Sequence, residues 1–264
     1  MAGGPTGAAL VIAAARAGAL PFLAGGNKTP TAMQAEIEAV RGATDAAFGV
    51  NVLVPGRPTA EAAALAAYLG SLEAEVALRT GADSLCLQGS EAGGHRGAFA
   101  NRDGVDQDYA LLELLSRVRR QTDVPLIAAG GIAGPDEVAT VLGAGAVAAQ
   151  AGTAFLRCAE SGANPAYRRA LADPRFTSTA ITRAFSGRRA RGLVNQFMRE
   201  HEGVPKAYPE INNATRPLRA AAAASGDPDR MSLYAGVNFR RAEARPAGEI
   251  VAQLAAGVGG GPEP

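Results

Sequence analysis

Ser84-Leu85-Cys86-Leu87-Gln88-Gly89-Ser90-Glu91-Ala92-Gly93-Gly94-His95-Arg96-Gly97 is the stretch from which the chain is best read. Its apolar opening has the character of a buried strand and runs straight into a glycine-rich turn. Glycine tolerates positive φ and lets a backbone pass close to a ligand. The turn carries His95, one of 2 histidines in 264 residues. Imidazole is the side chain whose unperturbed pKa lies near neutrality. The turn therefore reads as the floor of an active site. A turn histidine can also be a simple surface hydrogen-bonder, but the position of His95 between Gly94 and Gly97 favours function. No cysteine, histidine or H-x-E neighbour stands at ligand spacing, so no metal is expected. His201, in the charged run Arg199-Glu200-His201-Glu202-Gly203, reads as a surface residue.

Similar apolar runs lie on either side: Leu20–Ala24, Phe48–Val54, Pro125–Ala129 and Val147–Gln150. Helical segments alternate with them. One spans Leu10–Ala17. Another has Thr31 as its cap and Met33, Ile37 and Val40 on one side. Thr59–Leu69 and Glu73–Arg79 follow, separated by the break Gly70-Ser71-Leu72. Tyr109–Arg120 is clearly amphipathic, with Leu111, Leu114, Leu115 and Val118 on one face. Pro135–Leu142 is the next. Continuous apolar strands alternating with helices indicate a parallel sheet covered by helices. Beyond Gln150 the period-two signal fades. Residues 1–160 are read as the sheet-bearing part and 161–256 as helical and irregular, with a disordered tail at 257–264.

Two turns suit a phosphate. Gly130-Gly131 follows one strand and Gly152-Thr153 the next, and backbone N–H groups there can point at an anion. The alternative is a pair of ordinary tight turns. Neither is a Rossmann or P-loop signature. Gln88 and Asn51, near strand C-termini, offer amides to an uncharged heterocycle or to nearby backbone groups. Arg183, Arg188, Arg189 and Arg191 form either a solvated basic face or a second anionic contact.

Composition narrows the classes. With 26 basic and 25 acidic residues, no nucleic acid or other acidic polymer is implied. No apolar run of about 18 residues is present, so no membrane span is expected. The start lacks the basic and apolar regions of a signal peptide. Cys86 and Cys158 read as reduced thiols, which suits a cytoplasmic location.

Taken together, these residues resemble the nitronate monooxygenase family, also called 2-nitropropane dioxygenases. The matching pieces are Met-Ala-Gly-Gly at 1–4, Phe48-Gly-Val-Asn51, the Gln88–Gly97 turn, Ala128-Ala-Gly-Gly-Ile132 and Gly152-Thr-Ala-Phe-Leu-Arg157. Thr182–Arg188 and Arg191–Asn195 also look like the family. The resemblance implies an FMN-dependent (β/α)8 TIM barrel oxidising nitronates or nitroalkanes with O2 to a carbonyl compound and nitrite. It implies that His95 is the catalytic base. Gly130, Gly131, Gly152 and Thr153 would hold the FMN phosphate, and Ala2, Gly3, Asn51, Gln88 and Gly94 would line the flavin. A homo-oligomer is compatible. Alternatives are an FMN-dependent enoyl-thioester reductase, an NAD(P)H-quinone reductase, or an inactive flavin-binding remnant. Strand counting leaves the barrel short: at about 30 residues per βα unit, roughly two units are missing, with the expected join at Leu69–Glu73.

Overall fold

In a computed structural model, residues 4–26, 28–51, 68–69, 74, 78, 82–98, 101 and 108–258 are described. The apolar runs form short strands: β1 (Phe22–Ala24), β2 (Gly49–Asn51), β3 (Tyr68–Leu69), β4 (Leu85–Gln88), β5 (Gly94–His95), β6 (Leu126–Ala129) and β7 (Ala148–Gln150). Two more, β8 (Thr179–Thr182) and β9 (Ala190–Leu193), come later in the chain. β1 and β2 pair in parallel, with Leu23 opposite Val50. β3, β4, β6 and β7 form a four-stranded parallel sheet in that order, with Leu87 opposite Ala128 and Ala128 opposite Ala149. The helices are α1 (Ala8–Arg16), α2 (Pro30–Ala43), α3 (Leu111–Arg119), α4 (Pro135–Gly143), α5 (Pro165–Ala170), α6 (Gln196–Glu200), α7 (Glu210–Ser225) and α8 (Ala247–Ala255). This is the alternation of a (β/α)8-type barrel, and the described residues supply six of its parallel strands.

β4 is buried on both faces: α3 packs over Leu85 and Leu87, and Cys86 on the other face lies 3.1 Å from Gln150 Oε1 of β7. Leu85, Leu87, Leu126 and Ala128 pack with Leu111, Leu114, Leu115 and Val118 of α3 in one core. Burying a side chain of this size contributes about 1.5–3 kcal/mol. The apolar face, far more than any end effect, therefore fixes α3 against the sheet. Its N-terminus is still capped, but not locally. Ala110 offers no side-chain cap, and Glu91, from the His95 turn, accepts from Leu111 N with both carboxylate oxygens at 3.1 Å. Cys86 and Cys158 are buried free thiols. Among the described residues no helix is long and apolar enough to cross a membrane.

Four expectations need correction. The second helix is capped by Thr29, which accepts from Ala32 N with Pro30 at the first position. Thr31 lies inside it, because proline fits the first turn where its missing N–H costs nothing. Tyr68–Leu69 is strand, where the expected helix would have ended, and pairs in parallel with Cys86–Leu87. The rest of the expected helix at 59–67 lies outside the described residues, as do Val52–Val54. Residues 161–256 are not only helical and irregular: β8 and β9 pair antiparallel, and β9 also pairs with β5. The helix expected at Leu10–Ala17 runs over Ala8–Arg16.

Replacing Glu91 with alanine removes the cap of α3 while leaving its apolar face intact. A loss of about 1 kcal/mol in unfolding free energy is expected, read from the urea midpoint at unchanged slope.

Candidate active site

The strand that carries the turn ends at Gln88, where sheet pairing stops and backbone groups need new partners. Gln88 closes the turn with its own amide. Its Nε2 donates to His95 O at 3.0 Å, and its Oε1 accepts from Gly97 N at 2.8 Å. Arg96, buried beneath the turn, donates from Nη2 to Gln88 O at 3.1 Å and Gly89 O at 2.9 Å. Its Nε lies 3.4 Å from Asp108, which also pairs with Arg189. Arg191 Nε donates to Ser90 O at 2.7 Å. Of the turn's glycines, Gly94 takes positive φ, at 82°. Gly89 and Gly93 are required for space instead, since an added Cβ would lie 2.4 Å from Glu91 Oε2 and 2.5 Å from Ala235 C, respectively.

His95 sits on β5, where its backbone pairs with Ala190. Its Nε2 lies 2.8 Å from Ser186 Oγ. Ser186 is buried, and its hydroxyl donates to Arg188 O at 3.0 Å. When the serine hydrogen goes to Arg188 O, the serine oxygen can take a hydrogen from Nε2, which leaves the lone pair on Nδ1. The Tyr234 phenol also hydrogen-bonds Ser186, and its ring meets His95 edge-on at 5.2 Å. His95 is exposed on one side and crowded by protein on the other. Desolvation, then the charges of Arg188 and Arg219, push its pKa down to about 4. Water on the exposed side screens part of those charges. The imidazole is a neutral base at physiological pH, and among the described residues only its Nε2 has a hydrogen-bond partner.

The glycine turns lie against this assembly. Gly130 and Gly131 have φ of 127° and 70°. A Cβ on Gly130 would be 3.2 Å from Ala92 N, and one on Gly131 would be 3.3 Å from Glu91 Cβ. Thr153 opens a short 3-10 turn, and its Oγ1 accepts from Gly236 N at 2.9 Å, so its own hydrogen remains to donate. Residues Tyr234–Asn238 thread between the turns: Val237 N donates to Glu91 O at 3.0 Å, and Asn238 Nδ2 to Gly131 O at 2.5 Å. Two positive-φ glycines and a threonine hydroxyl that accepts from Gly236 N and has a hydrogen of its own to donate fit a phosphate group.

The structure thus brings together Gln88, Gly94, His95, Gly130, Gly131 and Thr153, with Gly152 next to Thr153. Asn51 stands apart at the end of β2, where its carbonyl accepts from Gly25 N at 2.7 Å. Ala2 and Gly3 lie outside the described residues. The amide hydrogen bonds that Gln88 was expected to offer a ligand are used within the turn. His201 is exposed, stacked on Phe197 at 4.1 Å. Arg183, Arg188, Arg189 and Arg191 are half-buried and do not form a solvated face. Arg188, Arg189 and Arg191 tie the His95 turn to β9 through Ala98, Asp108 and Ser90. Sequence reading missed Ser186 and the segment 234–238. Tyr-Ala-Gly-Val-Asn, with a single glycine, carries no spacing pattern that marks it.

Comparison with known proteins follows the same lines. The family model described as Nitronate monooxygenase matches residues 1–75 and 63–257. A nitronate monooxygenase from Pseudomonas aeruginosa is 40% identical over 212 residues, which cover 79% of this chain and 57% of that protein. A probable nitronate monooxygenase from Bacillus subtilis is 40% identical over 163 residues, covering 61% and 47%. The chain therefore spans about half the length of the curated relatives it matches. The crystal structure of a nitroalkane oxidase from Streptomyces ansochromogenes aligns with TM-score 0.89 at 39% identity, covering 98% of this chain and 93% of that one. FabK from Thermotoga maritima aligns with TM-score 0.78 at 25% identity, covering 96% and 89%.

The His95 environment predicts a pH response. The folded pKa lies below the ordinary 6.5, so the unfolded chain binds the proton first. The stability tied to neutral His95 is intact above pH 6.5 and is lost as pH falls toward 4. An NMR titration should show the His95 ring resonance still unshifted at pH 5.5. A midpoint near 6.5 would contradict the described packing. Separately, Gly236→Ala puts a Cβ 2.7 Å from Glu91 O, a backbone atom. A loss of about 1–3 kcal/mol is expected in thermal unfolding.

Proposed function

From a chain that belongs to the nitronate monooxygenase family, we propose an enzyme that oxidises alkyl nitronates with O2 to a carbonyl compound and nitrite, with FMN as cofactor. The observation that carries this reading is His95 held with Nε2 2.8 Å from the buried Ser186 hydroxyl, with two arginine charges that act on the same ring. FMN, when bound, supplies the electron acceptor and the oxygen chemistry. Gly130, Gly131, Gly152 and Thr153 would hold its phosphate, and the backbone of the His95 turn, with Gly94, would face the flavin.

The side chains do the remaining work. A nitronate is an anion. Arg219 is oriented by Asn212 and Thr215, donating at 2.7 Å to Asn212 O and 3.2 Å to Thr215 Oγ1. Arg188 is oriented by the carbonyls of Arg96 and Ala98. Their charges disfavour an imidazolium and favour an anion in the same place. Proton abstraction from a neutral nitroalkane would use Nδ1 of His95, the nitrogen that Ser186 leaves open. A base held neutral down to about pH 4 drives that step less strongly than an ordinary imidazole. The site therefore suits an already ionised nitronate better than a nitroalkane.

His95→Asn separates the two substrates. Nitrite release from a nitroalkane is expected to fall about 10²–10⁴-fold, while release from the preformed nitronate falls far less. Equal losses on both would mean that His95 does not act as the base.

A further inference from the structure

We propose that Tyr208 is the specificity-setting wall at the mouth of the His95 site, sorting nitronates by the length of their alkyl chain; this rests on the nitronate reading above. Two tyrosine rings meet the imidazole at the same interplanar angle of 63°, Tyr234 with its centroid 5.2 Å away and Tyr208 with its centroid 6.3 Å away. Their surroundings are opposite. Tyr234 is closed in by protein, and its hydroxyl is bonded to Ser186. Tyr208 is 46% exposed. An aromatic ring of this kind joins a large apolar face to a polar tip. Held half open beside the acid–base group, that face lies where a substrate chain approaching Nδ1 would run.

The wall is held in place rather than loosely attached. Gly187, next to Ser186, has φ of 73°, and a Cβ there would lie 2.3 Å from Ala207 O. The Ala207 backbone is therefore seated directly on the turn that fixes the imidazole. Ile211 N donates to Ala207 O at 2.9 Å, and Asn213 N to Pro209 O at 2.9 Å, as the chain enters α7. Thr215 of that helix donates to Phe185 O at 2.5 Å. Tyr208 thus sits between two anchors on the segment 185–187, and its distance from His95 is set by the same backbone that positions Ser186. A fixed aromatic wall turns chain length into contact area. Each methylene laid on the ring improves binding by about fourfold, until the chain outruns the wall.

The test compares wild type, Tyr208→Ala and Tyr208→Phe, each loaded with FMN, on a series from ethyl to hexyl nitronate, read by nitrite release. Wild type and Tyr208→Phe should share a dependence of kcat/KM on chain length. Tyr208→Ala should flatten it, with the change falling on KM. A chain-length profile in Tyr208→Ala that matches wild type would overturn the proposal. A second measurement needs no turnover. Diethyl pyrocarbonate acylates exposed imidazoles, and mass spectrometry can read His95 against His201 as internal reference. Tyr208→Ala should raise the His95 to His201 ratio several-fold, and an unchanged ratio would overturn the wall. If wild type releases no nitrite from any nitronate, the functional reading fails, and the acylation ratio alone decides whether Tyr208 screens the imidazole.

Discussion

The passage of Gly236 between the His95 turn and Thr153 is the contact on which the site depends. Its N–H is bound by the threonine hydroxyl, and Val237 N–H by Glu91 O. Where Gly236 meets the His95 turn, both sides are backbone. A Cβ on Gly236 would meet Glu91 O at 2.7 Å, and one on Gly93 would meet Gly236 N at 2.5 Å. Backbone cannot swing aside as a side chain tip can, so a substitution at either glycine pushes this segment off the turn that carries the base. Gly236 N–H, which the Thr153 hydroxyl holds, would move with it. Tyr234, two residues upstream, packs on His95 and bonds Ser186. One short segment thus fixes both ends of the proposed flavin site.

Arg96 shows how such a turn is kept folded. A strand that ends in a glycine-rich loop leaves carbonyls without sheet partners, and an unmet buried carbonyl costs about as much as a lost hydrogen bond. Arg96 and Arg191 meet those of Gln88, Gly89 and Ser90. Burying a guanidinium is itself expensive unless it is paired, which accounts for Asp108 between Arg96 and Arg189. The charge is only partly balanced: among the described residues, the Arg188 guanidinium donates to the carbonyls of Arg96 and Ala98. The arginines that brace the turn therefore also set the potential felt at His95. Structure and electrostatics of the site come from the same side chains.

Local pattern accounts for what the sequence revealed. β4, β6 and β7 were placed within a residue or two, and the buried face of α3 was identified residue by residue, because a doubly buried strand and an amphipathic helix carry their signal within a short window. β8 and β9 did not stand out. Thr179-Ala180-Ile181-Thr182 and Ala190-Arg191-Gly192-Leu193 alternate weakly, and β9 is held at β5 by a pairing about a hundred residues apart in sequence, Gly94 with Arg191. Ser186 and Tyr234–Asn238 matter through what they touch, which no spacing rule encodes. The Gln88 amide was open between two uses, and the backbone of its own turn took both of its ends.

The split between the sheets bears on which parts the chemistry needs. The described parallel strands divide into a pair, β1–β2, and a group of four, β3-β4-β6-β7. Their cores are separate too: Val11, Leu23 and Val40 under the first, the Leu85–Val118 cluster under the second. Every described residue assigned to His95 or to the phosphate turns belongs to the four-stranded sheet, to β5-β8-β9, to the segments between them or to the chain after β9. Asn51, expected at the flavin, lies on the other sheet. Among the described residues the two-stranded sheet reaches the rest through α1, which packs on α8 and shares a core cluster with Ala154, Phe155 and Cys158 beside the Thr153 turn. Coupling through helix contacts is weaker than coupling through shared strands, because helices can shift on one another by small side-chain changes while a sheet register cannot. The geometry around His95 should therefore be governed by the half that carries its own core. The first sheet would chiefly affect how far the flavin ring is enclosed, and that is the part to which Asn51 was expected to contribute.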